Sequence, residues 1–131
     1  MILTSQRRYW ITPDFSNNLE LPENERVEVE IIRATVENRN RLTSTETKRS
    51  ADGEISMHTN FHIGEILRNC VGEIKNLEVQ TEIDGKTETK AIKSGKELAG
   101  AVAYGLDGLV SIICTEVARD TMSLAEKKIL K

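Results

Sequence analysis

From Leu77 to Ile83 the chain alternates: Leu77, Val79, Thr81 and Ile83 are interleaved with Glu78, Gln80 and Glu82. A period of two places the first set on one face of a strand and the charges on the other. Asp84-Gly85 follows, and this pair suits a two-residue type I′ turn, in which both central residues need positive φ. Lys86 to Ile92, rich in Thr and Lys, then reads as the return strand, an exposed edge whose lysines discourage pairing with a foreign strand. Ser94 and Glu97 have the S-x-x-E spacing of a capping box, in which the Ser oxygen accepts from the third helical N–H and the Glu reaches back. Residues 76–98 are thus expected to form a hairpin running directly into a capped helix.

Elsewhere the pattern predicts a succession of short elements. Tyr9 to Thr12 is a short strand stopped by Pro13. Asp14 to Glu25, with Ser16, Asn17, Asn18 and Pro22 among acidic residues, is a loop. Residues 1–25 therefore form an N-terminal arm, either docked on a partner or folded back on its own domain. Arg26 to Ala34 is a strand with Val27, Val29 and Ile31 on one side and Glu28, Glu30 and Ile32 on the other. Thr35 to Leu42 is a short, half-exposed helix with Thr35 as its cap. Thr43 to Gly53 is small, polar and uninterrupted, and reads as a mobile loop. Glu54 to Asn60 alternates again. Ile63, Ile66, Leu67, Cys70, Val71 and Ile74 then recur at helical spacing, predicting a helix from His62 to Ile74 that Asn60 could cap. After Ser94 a small-residue helix runs to Tyr104, with Ala99, Gly100, Ala101 and Ala103 allowing close approach and Gly105 ending it in the left-handed region. Asp107 opens a second, most buried helix from Leu109 to Arg119, and Ser123 with Glu126 caps a last one ending in Lys127, Lys128 and Lys131. The fold class is α+β: a small mixed sheet of about four short strands, including the 76–92 hairpin, packed against C-terminal helices in one domain over residues 26–131.

Composition narrows the function. At 131 residues the chain is one domain, long enough to bury roughly two-thirds of its unfolded surface without a metal or disulfide staple. The residues are 38% hydrophobic but only 4% aromatic, so the core must be aliphatic. The net charge of −3, with both signs spread along the chain, supplies no basic field for nucleic acid. Leu98 to Ala118 approaches the length of a membrane span, but Asp107 near its centre, between Gly105 and Gly108, and Glu116 beyond it divide the stretch into two helices, so no membrane association is expected. Met1 to Trp10 carries Arg7 and Arg8 with no apolar run behind them, so a signal peptide is not expected. Cys70 and Cys114 sit in apolar helical patterns and read as buried free thiols, which fits a cytosolic setting.

Candidate chemistry is sparse. His58 and His62 are four residues apart with Glu65 and Cys70 downstream, a spacing that can hold zinc on one helix. His58, however, falls in a strand pattern, and Thr59 stands where H-E-x-x-H has its catalytic Glu. Cys70 and Cys114 on apolar faces would remain neutral thiols rather than nucleophiles. Lys93-Ser94-Gly95-Lys96 lacks the earlier Gly and the following hydroxyl residue of a phosphate loop, and Ser94 is better explained as a cap. Tyr9, Trp10 and Phe15 with Arg7 and Arg8 could stack on nucleic acid, but they fit a core or interface anchor better. No catalytic, cofactor-binding or metal residues are assigned.

Three fragments resemble small proteins from the structural gene modules of tailed bacteriophages. Asn17-Asn18-Leu19-Glu20-Leu21-Pro22-Glu23-Asn24-Glu25, followed by the Val27–Ile32 strand, is similar to a G-N-x-E-L-P-E-x-E-Q opening in that family. Asn76-Leu77 with Ser94-Gly95-Lys96-Glu97-Leu98 resembles its I-x-N-L … x-T-G-K-D-L middle, and Leu124-Ala125-Glu126-Lys127-Lys128 its L-T-E-E-E-K-K-N end. Asn17 replaces the family's Gly, and Ile129 replaces its final Asn. The resemblance implies a virion component or a tail or neck assembly factor, without enzymatic activity or cofactor. It would be located in the virion or in the host cytoplasm during assembly, would act on other phage structural proteins, and would form a homo-oligomer or part of a larger assembly. A cytoplasmic accessory module recognising one protein partner is the alternative, and a metal protein or enzyme built on His58, His62 and Cys70 a third reading.

Overall fold

The computed structural model describes residues 1–103 and 105–121. The fold is α+β, and the described residues form three small antiparallel sheets in place of the one mixed sheet expected. The central sheet has the order β1 (Arg8–Ile11), β2 (Glu28–Ile32), β5 (Val71–Lys75). The other two are hairpins: β3 (Thr43–Arg49) with β4 (Ile55–Phe61), and β6 (Glu78–Ile83) with β7 (Lys86–Ala91). The helices are α1 (Arg39–Leu42), α2 (Ile63–Cys70), α3 (Gly95–Ala99) and α4 (Leu106–Thr121).

Alternation in β2 decides the inside. Val29 and Ile31 are fully buried while Glu28, Glu30 and Ile32 are half-exposed. On α4, Leu106, Leu109, Ile113, Cys114 and Val117 form one buried stripe at spacings close to the helical repeat. These residues join Ile66, Leu67 and Cys70 of α2, Val71 and Ile74 of β5, and Leu77, Val79, Ile92 and Leu98 in a single aliphatic core. Each such side chain contributes about 1.5–3 kcal/mol by leaving water. The Tyr9 hydroxyl donates to Glu116 Oε1 at 2.9 Å, tying β1 to α4.

The 76–98 stretch forms as its local chemistry requires. Asp84 and Gly85 have φ of 52° and 77°, the left-handed pair of a type I′ turn, and β6 pairs with β7 in register from Glu78↔Ala91 to Ile83↔Lys86. Ser94 Oγ accepts from the Glu97 N–H at 3.2 Å, and Glu97 Oε2 accepts from the Lys93 N–H at 2.6 Å. The reciprocal bond thus reaches one residue before the cap. Ile74 N–H also donates to Lys93 O at 2.9 Å, so the turn into α3 covers the outer edge of β5.

Several expectations are corrected. Thr43–Gly53 is not a loop: its first seven residues are β3, paired along their whole length with β4. The predicted helix 62–74 stops at Cys70, and Val71 to Lys75 are strand. The pattern of buried residues persists across the junction, because Val71 and Ile74 face the same core from the sheet. The cap is the backbone of His62, whose N–H donates to Leu42 O, and not Asn60. The Thr35–Leu42 helix contracts to α1, with Thr35 Oγ1 accepting from the Asn38 N–H in the preceding turn. The helix after Ser94 ends at Ala99, with the Gly100 N–H bonded to Glu97 O and Leu98 O. Gly105, at φ 88°, leads into α4 instead of closing α3. The N-terminal arm is in part folded onto the domain, with β1 as an edge strand of the central sheet. The helix predicted from Ser123 lies outside the described residues. No helix among the described residues is long and apolar enough to cross a membrane.

Candidate interaction surface

The β3–β4 hairpin projects as an arm. Strands β3 and β4 pair over seven residues each, from Thr43↔Phe61 to Arg49↔Ile55. Every residue from Ser44 to Phe61 is exposed and only Thr43 is half-buried. The base is anchored by Leu42, fully buried, whose carbonyl accepts from the His62 N–H at 2.9 Å. At the tip, the Ser50 N–H donates to Glu54 O at 2.8 Å, and the Ser50 hydroxyl hydrogen-bonds to the Asp52 carboxylate. That bond, with the Glu54 N–H, holds the Asp52 carboxyl below its usual range.

Directly opposed residues of an antiparallel pair share a face, so the register sorts the arm into two surfaces. One carries Thr43, Thr45, Thr47, Thr59, Ile55, Met57 and Phe61 with Arg49; the other carries Ser44, Glu46, Lys48, Ser56, His58 and Asn60. Ile55 is 61% and Met57 72% exposed. An isolated two-stranded hairpin is marginal in water unless its face is covered. This one presents an apolar, Thr-rich face and two edges, with no core residue between Ser44 and Phe61.

A second exposed face belongs to the central sheet. Trp10 is 39% exposed, with the Lys75 Nζ 4.3 Å from its ring centroid. Arg8 pairs with Glu30 at 3.1 Å, and Glu30 also accepts from the Glu73 N–H. The adjoining hollow of about 590 Å³ brings Arg8, Arg68, Lys93 and Lys96 near Glu30 and Glu73. Tyr9 turns inward beneath the Arg33 guanidinium, 4.7 Å from its ring centroid, and Phe15 packs against the core. The N-terminal aromatics therefore serve largely as fold anchors, with Trp10 outside.

The structure separates the residues of the candidate chemical constellations. His58 stands in β4 opposite Glu46, His62 begins α2, and Cys70 is buried at the far end of α2. Among the described residues no group of three or more His, Cys, Asp or Glu is placed to hold a metal. Cys114 is buried in α4, and burial pushes its thiol pKa up, which favours the neutral form. Gly95, in the Lys93–Lys96 run, is buried against α2: a Cβ there would lie 2.0 Å from Leu67 O and 2.6 Å from Val71 Cβ. This glycine serves helix–helix contact, and the run makes no phosphate loop. Of the arm, the alternation over Glu54 to Asn60 is borne out by β4, and β3 was missed in sequence. Its signal was the alternation of Thr43, Thr45 and Thr47 with Ser44, Glu46 and Lys48, closed by Asp52-Gly53 and mirrored in Ile55–Phe61.

No protein family, curated protein or solved structure matches the chain.

Proposed function

We propose that the chain is a non-enzymatic assembly protein that works through protein–protein contacts, and that its setting is the virion or the tail or neck assembly of a tailed bacteriophage. The observation that carries the first part is the arm. Ile55, Met57 and Phe61 lie exposed on one face of a ribbon built from seven-residue strands, where a partner could cover apolar surface and add strands to the ribbon's edges. The phage setting rests on the three sequence fragments 17–32, 76–98 and 124–128. Trp10, exposed on the central sheet beside Lys75, offers a second contact of the kind enriched at interface centres.

The alternative, an accessory module bound to one cytoplasmic protein, is favoured by the same face and differs in stoichiometry. Co-expression with the products of the flanking genes tests the reading. Retention of a capsid, neck or tail protein by the full chain, lost when Ile55 and Met57 are both replaced by Ser, supports it. A chain that retains no phage structural protein from an infected host contradicts the phage setting.

A further inference from the structure

We infer that the free edge of β3 is a self-association site, and that its occupant is the β3 edge of a second copy of this chain, forming a four-stranded antiparallel sheet in the order β4–β3–β3–β4. The inference goes beyond the function proposed above and stands on backbone direction and charge alone. Hydrogen-bonded and non-bonded pairs alternate along an antiparallel ladder. In the arm the bonded pairs are fixed at both ends: Leu42 O accepts from the His62 N–H, and the Ser50 N–H donates to Glu54 O. Both pairs, with the register between them, make Ser44, Glu46 and Lys48 the residues bonded to β4. The N–H and C=O groups of Thr43, Thr45, Thr47 and Arg49 therefore point away from β4, along an edge that no other strand among the described residues covers.

Charge then chooses the register. Centring the two-fold axis on Glu46 would oppose Glu46 to its own copy, and centring it on Lys48 would do the same for lysine; like charges directly opposed are destabilising. With the axis at Thr47, Thr47 faces Thr47 of the second copy, Thr45 faces Arg49, and Glu46 faces Lys48 twice over. The outward groups of Thr45, Thr47 and Arg49 can then exchange about six backbone hydrogen bonds across the axis. Lysine on an edge strand ordinarily blocks pairing, but here Glu46 two residues away neutralises it in this one alignment. The same register sets Ala51 opposite Thr43 of the second copy. It thereby brings the acidic turn of Asp52 and Glu54 towards the second copy's exposed Arg39 and Arg41. Both apolar faces, with Ile55, Met57 and Phe61, end on the same side of the new sheet.

The test uses the full chain carrying single substitutions. A Thr47→Cys variant should cross-link to itself under mild oxidation. In a bonded antiparallel pair the Cα atoms lie about 5.5 Å apart, within the disulfide range. Thr45→Cys should not, because its two copies would be roughly 13 Å apart along the strands. In sedimentation equilibrium the parent should dimerise. Thr47→Pro should weaken the dimer about thirtyfold by removing one outward N–H from each copy, whereas Thr59→Pro, on the outer edge of β4, should leave it unchanged. Glu46→Lys and Lys48→Glu should each dissociate the dimer and restore it when combined, a result that loss of folding cannot mimic. A parent that remains monomeric at every concentration, equal cross-linking at Thr45 and Thr47, or no restoration in the combined exchange would overturn the inference. Such a failure leaves the apolar face available to a different protein, and so is distinguishable from failure of the proposed function.

Discussion

Asn18 shows how one side chain can fasten a segment whose composition says only loop. It is 3% exposed; its Nδ2 donates to Pro13 O at 2.8 Å and Val27 O at 3.0 Å, and its Oδ1 accepts from the Val27 N–H at 2.8 Å. Replacing it with Leu strands three buried backbone groups, each expensive to leave unpaired. Asn18→Leu should therefore cost about 3 kcal/mol or more in urea unfolding. Gly95→Ala should cost about 1–3 kcal/mol in the same measurement, since its Cβ would meet Leu67 O and Val71 Cβ in a well-packed core. Cys114 gives a pH prediction. Its thiol pKa is raised by burial, so the unfolded chain loses that proton first as pH rises. Its contribution is neutral below the ordinary thiol range and destabilising above it. Stability should fall more steeply above pH about 9 in the parent than in Cys114→Ala, and thiol titration should be slow in native protein and fast in urea. At this scale the sequence was partly legible. Ser94 as a cap and Asp84-Gly85 as a turn are local chemistry. The inward rotation of Asn18 depends on Pro13 and Val27, and no run of Ser, Asn and Pro reveals which Asn turns in.

At the scale of elements, the hairpin β6–β7 was readable because a two-residue turn and an alternating strand agree. In the arm β4 was readable by its alternation, but β3 was not, because it buries nothing and its Thr-rich alternation has the composition of a polar loop. The α2–β5 junction misled for the opposite reason. Val71 and Ile74 continue the helical spacing of Ile63, Ile66, Leu67 and Cys70, and one buried face serves both a helix and the strand that follows it. β-branched Val71 followed by Gly72 was the available signal for the change. The arm's independence is testable. Ser44 and Asn60 are opposed and lie in a bonded position of the ladder, so residues 45–59 can be replaced by an Asn-Gly turn. Since Ser44 to Asn60 contribute no core residue, the shortened chain should unfold within about 1 kcal/mol of the parent. A larger loss would mean that the arm supports the domain.

At the scale of the molecule, the α+β class followed from the mixture of periods two and 3.6 along the chain, while the division into three sheets did not. Which strands pair is set by long-range closure: β1 and β5 join β2 from either side, and Lys93 and Ser94 close the edge of β5. The result is a small aliphatic core with one long ribbon extending from it, a shape suited to contacts between proteins. The pairing of Glu46 with Lys48 across copies also predicts that raising salt from low to moderate concentration weakens self-association, as exposed charge pairs are screened. The most direct test of the arm as the self-association element is sedimentation velocity on the full chain and on the arm-shortened chain at equal concentration. The account predicts an oligomer for the first and a monomer of unchanged thermal stability for the second; the same association state for both would contradict it.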